Sequence, residues 1–236
     1  MYIDIYYLII VLPFVLLALY ASYKVDSTYK RYSRVDVANG ISGAEAARLV
    51  LRNAGLTSVR IDICEGKLTD HYDPRTDTIY LSSDVYHGCN AAACGVAAHE
   101  AGHAVQHAEE YVPARIRLAL VRVTNIGSSV GLWMVIIGVI LCYLAAAFVY
   151  VAYLGIVLFS VTALFQLVTL PVEFNASARA MEAIRASGAF TTEEERGARR
   201  VLTAAAMTYV AALAVTLAQI LRLLLIVANA SGRRRD

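Results

Sequence analysis

Between Arg122 and Glu173 the chain runs for 50 residues, Val123 to Val172, without a charged side chain. Ordinary core helices of soluble proteins are far shorter than this, so the stretch dictates a membrane protein. As one helix it would reach roughly 75 Å at about 1.5 Å per residue, about twice the length a single crossing needs. That length predicts a hairpin of two helices, with its turn in the region from Tyr143 to Gly155. Ser160, Thr162 and Gln166 in the second arm carry no charge and are tolerable where they face another helix. Two shorter uncharged stretches, Ile5 to Tyr23 and Val201 to Leu221, each suit one further span. The sequence therefore predicts a mainly α, polytopic membrane protein with four transmembrane helices.

The first span has Asp4 as its only early charge and no basic segment ahead of it, which predicts an uncleaved anchor rather than a signal peptide. Tyr2, Tyr6 and Tyr7 at one end and Tyr20 and Tyr23 at the other fit aromatic belts at the two interfaces. Charges return from Lys24 to Arg122. Here Ser42 to Glu45 reads as a helix cap followed by a helix to Arg52, ended by Asn53-Ala54-Gly55. Ser58 to Ile63 alternates like a half-buried strand, Asp70 to Arg75 is a turn signal, and Thr78 to Ser82 reads as a second strand. The expected organisation is an anchor (1–23), a catalytic region (24–122), a transmembrane hairpin (123–172), a helix carrying a metal ligand (173–200), a last span (201–228) and a basic tail (229–236).

Within the charged region, His99-Glu100-Ala101-Gly102-His103 carries chemistry. Residues four apart on a helix lie one above the other, so both imidazoles reach one ion while Glu100 faces the coordinated water as general base. The small, uncharged flanks, Val96-Ala97-Ala98 and Ala104-Val105, suit a helix buried behind such a site, expected from about Asn90 to His107. Imidazole donors favour Zn²⁺ over calcium or magnesium. A third protein ligand is required. His107 lies about 12 Å along the helix from His99 and cannot reach the same ion. Glu109 and Glu110 have a similar problem unless the helix breaks at once. Glu173, the first charge after the hydrophobic hairpin, is better placed, since a lone carboxylate at that boundary is otherwise a costly choice. The strand and hairpin ahead of the metal helix offer a sheet edge to which a peptide could add.

Asp70-His71-Tyr72-Asp73-Pro74-Arg75, Leu81-Ser82, and Ala97 to His107 together resemble the neutral zinc metallopeptidases of bacterial membranes, the YugP-like family. Thr169 to Ser177 and Val201 to Val210 resemble the same family's remaining signatures, so the likeness covers nearly the whole chain. More distantly the arrangement is similar to HtpX-like membrane metalloproteases. The resemblance implies a small gluzincin-like α+β catalytic layer, Glu173 as third zinc ligand, Glu100 as base, and endopeptidase action on membrane or membrane-proximal polypeptides. Asn175 stands where the resemblance leads one to expect Asp, and a neutral amide there is expected to support a ligand less strongly. A membrane scaffold or chaperone that keeps a structural zinc is the alternative function.

Asn175, Arg179, His71 and Tyr72 are further candidates, for supporting hydrogen bonds to the ligands or for holding an oxyanion. Cys64, Cys89, Cys94 and Cys142 form no zinc or disulfide framework and read as free thiols. A net charge of +2, with basic residues interleaved among acids, gives no support to nucleic-acid binding. The expected partners are a polypeptide substrate and the lipid bilayer, with a homo-oligomer or a substrate-presenting protein left open. Lys24, Lys30, Arg31 and Arg34 after the first span, and Arg179, Arg185, Arg196, Arg199 and Arg200 after the hairpin, place the catalytic face in the cytoplasm of a multi-pass cell-membrane protein. Arg222 and the Arg233 to Arg235 tail argue the other way.

Overall fold

The computed structural model describes residues 4–66, 69–142 and 144–232. Tyr2 of the expected aromatic belt and the Arg233 to Arg235 tail lie outside the described residues. The chain divides into two compact units, one formed by the described parts of Met1–Tyr20, Ile116–Thr169 and Thr208–Asp236, the other by Ala21–Arg115 and Leu170–Met207.

The second unit holds the motif helix. Helix α1 (Leu12–Tyr32), preceded by a π-helical turn at Tyr7–Val11, delivers the chain into it. Helix α2 (Gly43–Asn53) starts with a capping box in which Ser42 and Glu45 satisfy each other's backbone N–H groups. Strands β1 (Arg60–Cys64), β2 (His71–Asp73) and β3 (Thr78–Ser82) form a sheet of order β1-β3-β2, with β1 parallel and β2 antiparallel to β3. Central β3 is buried at Ile79 and Leu81, and Asp70 pins its end by accepting from the Ser82 N–H at 2.7 Å. A single turn of helix, α3 (Ser83–Tyr86), leads to α4 (Ala91–Ala108), which Asn90 caps by accepting from the Ala93 N–H at 3.0 Å.

Alanine and glycine line α4 because it is enclosed by its neighbours. Ala91, Ala97, Ala98 and Ala101 are fully buried, and at Gly102 an added Cβ would lie 2.5 Å from the Ala176 carbonyl oxygen. Glycine is therefore what lets the helix that carries Ala176 pass so close.

Among the described residues, four helices are long and apolar enough to cross a membrane: Tyr7–Tyr32, Val112–Cys142, Ala146–Ala186 and Thr192–Ser231. Helix α5 (Val112–Cys142) begins well before the uncharged stretch, taking Arg115, Arg117 and Arg122 into its first turns. A 3₁₀ turn at Ala146–Phe148 follows, and then α6 (Val149–Ala186). The hydrophobic arm and the segment bearing Glu173 are one continuous helix with Pro171 inside it. At roughly 57 Å it is longer than a crossing requires. Helix α7 (Thr192–Gly232) likewise runs from an acidic first turn through the last apolar stretch without a break.

In the first unit, α5 and α6 meet at small residues. A Cβ on Gly131 would lie 2.7 Å from the Gly155 carbonyl oxygen, and one on Gly138 would lie 2.5 Å from the Ala152 nitrogen. Val135, Ala152, Ile156, Leu223 and Val227 form a buried cluster beside them. Arg222 of α7 is 7% exposed and donates from Nε to Asp4 Oδ2 at 3.0 Å, with its guanidinium over the Tyr7 ring. The residue that argued against the expected orientation therefore carries its own counter-charge.

Candidate metal centre

His99 and His103 sit one turn apart on α4 with their rings edge to face, centroids 4.7 Å apart. The Glu173 carboxylate comes to them from α6: Oε2 lies 3.3 Å from His99 Nε2 and 3.7 Å from His103 Nε2. The three donor atoms are within 4.8 Å of one another. Zinc bonds of about 2.0–2.1 Å in a tetrahedron set neighbouring ligand atoms roughly 3.3–3.4 Å apart, so two imidazole nitrogens and a carboxylate oxygen at these separations suit zinc in both chemistry and span. Glu173 is 3% exposed, and a carboxylate this deep needs positive or hydrogen-bonding neighbours.

Glu100, next in sequence to His99, accepts a hydrogen bond at Oε2 from the Tyr72 backbone N–H at 3.1 Å. In this way edge strand β2 orients the carboxylate. Burial pushes the Glu100 carboxyl above its usual range, opposed by the two nearby histidines. The Tyr72 side chain has another task. Its hydroxyl donates to Asp77 Oδ1 at 2.8 Å, its ring rests against His107, and burial with the Asp77 contact holds the phenol well above the usual tyrosine range. His71 stacks on Tyr80 with its Nδ1 2.7 Å from the Thr69 carbonyl. Of these two candidates, it is the main chain of Tyr72 that reaches the site.

Asn175 and Arg179 lie behind His103. Asn175 Oδ1 accepts from Arg179 Nε at 2.8 Å and from Gln106 Nε2 at 2.9 Å, and Arg179 continues to Glu109 at 2.6 Å. Glu109 is thus tied to an arginine and Glu110 pairs with Arg115. Two polar residues that sequence reasoning passed over touch the histidines directly. Gln106 Oε1 is 3.0 Å from His103 Nδ1, and Ser177 Oγ is 3.1 Å from His99 Nδ1. Spacing held a signal for both, since Gln106 follows His103 by three residues and Ser177 follows Glu173 by four, each on the same helical face as its predecessor.

Residues 7–228 match the model of the protein family described as "Putative neutral zinc metallopeptidase". The chain is also 43% identical over 213 residues to the "Putative membrane protease YugP" of Bacillus subtilis (strain 168), an alignment that covers 90% of this chain and 92% of that relative. No solved structure matches.

Proposed function

The chain belongs to this zinc metallopeptidase family of membrane proteins, and from that premise we propose that it hydrolyses peptide bonds of membrane or membrane-proximal polypeptides, with His99, His103 and Glu173 as zinc ligands and Glu100 as general base. The observation that carries the reading is the convergence of three donor atoms within 4.8 Å, with a fourth group, Glu100, oriented by a backbone N–H beside them. Zinc, when bound, lowers the pKa of a water and polarises the scissile carbonyl.

The remaining work falls to the chain. Glu100 takes the proton of the attacking water and hands it to the departing amine, a transfer that needs a carboxylate held in one place. The Tyr72 N–H provides that hold. The depth that raises the proton affinity of Glu100 suits a base that must also release its proton as an acid. Because Glu173 stands on a helix whose earlier turns are apolar enough to span a bilayer, polypeptides in or near the membrane are the substrates the site favours.

The basic residues at the end of α1 and just beyond it, with those of α6 and α7 around Arg179 to Arg200, favour a cytoplasmic catalytic face, against which Arg222 and the Arg233 to Arg235 tail count. The deciding experiment is a pair of variants in detergent-purified protein. Glu100→Gln is expected to keep zinc while hydrolysis falls by about 10²–10⁴-fold, and Glu173→Ala to lose zinc and hydrolysis together. Full zinc and full activity in Glu173→Ala would refute the ligand set. Unchanged biological function in Glu100→Gln would point instead to a scaffold with a structural metal.

A further inference from the structure

An imidazole that ligates a metal through Nε2 must carry its remaining proton on Nδ1. At His103 the surrounding groups dictate that arrangement. Gln106 is 1% exposed, and its amide nitrogen lies 2.8 Å from the Val172 carbonyl oxygen and 2.9 Å from Asn175 Oδ1. A main-chain carbonyl has no proton to give, so the amide must turn its nitrogen toward Val172; the flipped amide would set oxygen against oxygen. Arg179 Nε, which can only donate, fixes Asn175 Oδ1 as an acceptor and enforces the same choice. The amide oxygen of Gln106 is left facing His103 Nδ1 at 3.0 Å, and an amide oxygen can only accept. Nδ1 therefore bears a proton, and Nε2, which faces Glu173, is the nitrogen left for an ion. His99 differs: its Nδ1 faces the Ser177 hydroxyl, which can donate or accept and so selects no tautomer.

We propose that Gln106 is a positioning residue of the metal centre, an adapter through which the Val172 carbonyl of α6 sets the protonation of His103 on α4. The inference rests on the reading of His99, His103 and Glu173 as ligands and deepens it. Val172 directly precedes Glu173, so one turn of α6 both delivers the carboxylate and selects the ring nitrogen that receives the ion.

Full-length protein in detergent, loaded with cobalt(II) in place of zinc, tests this. Ligand imidazole N–H protons then appear as hyperfine-shifted resonances that disappear in D₂O. In the wild-type protein His103 is expected to show an Nδ1–H resonance that exchanges slowly, and an assigned Nε2–H at His103 would overturn the proposal without recourse to any variant. In Gln106→Leu that resonance should be lost or exchange fast, and the zinc dissociation constant, from chelator competition, should rise about 10- to 100-fold. Gln106→Glu keeps the shape and an acceptor for Nδ1–H but cannot donate to Val172, so it too should bind zinc more weakly. Wild-type exchange and affinity in Gln106→Leu, or full rescue by Gln106→Glu, would overturn the adapter role while leaving the ligand set intact. A cobalt-loaded wild-type protein with no imidazole N–H resonance at all would instead refute the ligand set.

Discussion

Both units press helices together at glycine, Gly102 against Ala176 in one and Gly131 against Gly155 in the other, but they treat polar side chains differently. In the catalytic unit, Gln106, Asn175, Arg179 and Glu109 form an unbroken series of hydrogen bonds behind His103. In the apolar unit, Thr124 Oγ1, Thr162 Oγ1 and Gln166 Oε1 are buried without partners among the described residues, and the strong polar contact is the Asp4–Arg222 pair. Hydrogen bonds in the first case fix direction, as the proposed ligand role of His103 would require, since a misplacement of about an ångström can cost roughly 10²-fold in rate. Contact geometry is sufficient in the second, where helices need only to fit.

The largest expected effect comes from removing the fit where direction also matters. In Gly102→Ala the new methyl would meet a backbone oxygen that cannot swing aside, so α4 and α6 must move apart. Overpacking of this kind costs about 1–3 kcal/mol, and the accompanying displacement of Glu173 from the histidines should reduce kcat/KM by roughly 10²-fold. Gly131→Ala creates an equivalent clash in the apolar unit and is expected to lower the Tm while leaving the zinc dissociation constant unchanged. Equal loss of zinc affinity in the two variants would erase the distinction between the units.

Next in size is the ion pair. Arg222→Met leaves Asp4, whose side chain is a quarter exposed, without its partner, at a cost of about 1–2 kcal/mol, between that of an exposed and of a buried pair, whereas the double variant Asp4→Asn/Arg222→Met should recover most of that loss. Thermal unfolding of the three variants measures the coupling. A double variant no more stable than Arg222→Met alone would mean that the residues do not act as a pair.

A smaller effect of opposite sign separates the two treatments of polar groups most directly. Thr162→Val and Gln166→Leu each remove a buried oxygen that has no partner among the described residues, so both are expected to be neutral or to raise stability by about 1 kcal/mol. Ser177→Ala removes a hydroxyl that touches His99 and should instead weaken zinc binding, though less than Gln106→Leu because the hydroxyl selects no tautomer. Chelator competition and melting curves on the four proteins give the ranking.

What the sequence displayed and what it hid follow the same division. Spans were legible because a bilayer demands about 20 apolar residues in a row, and the helix that brings His99 and His103 together because i and i+4 share a face. The strands around Ile61 and Ile79 and the Ser42–Glu45 cap were legible from local pattern alone. The continuity of α6 through Pro171 was not, since proline ordinarily marks a boundary and only the surrounding helices decide whether a lost hydrogen bond is tolerated. Nor was the role of Gln106, whose donors and acceptors come from residues 66 and 69 positions away in the chain. At Asn175 the network shows one acceptor at work: Gln106 Nε2 and Arg179 Nε both donate to Oδ1.

The smallest expected effect concerns a thiol inside the catalytic unit. Cys94 is fully buried in the first turn of α4 and donates from Sγ to the Ile41 carbonyl at 3.3 Å, and burial pushes its thiol pKa up to about 12. Thiolates are the reactive form, so at pH 8 Cys94 should resist alkylation while exposed Cys89, five residues earlier, reacts. The shift also has a sign in stability. A folded thiol with a raised pKa stays protonated where the unfolded one ionises, so its contribution is complete below the ordinary thiol value of about 8.5 and is lost as pH rises from there toward about 12. Peptide mass mapping after iodoacetamide treatment checks the first point. Modification of Cys94 in the folded protein at a rate near that of Cys89 would show α4 opening readily to solvent, and the close packing credited to its alanines and Gly102 would then not hold the metal helix in place.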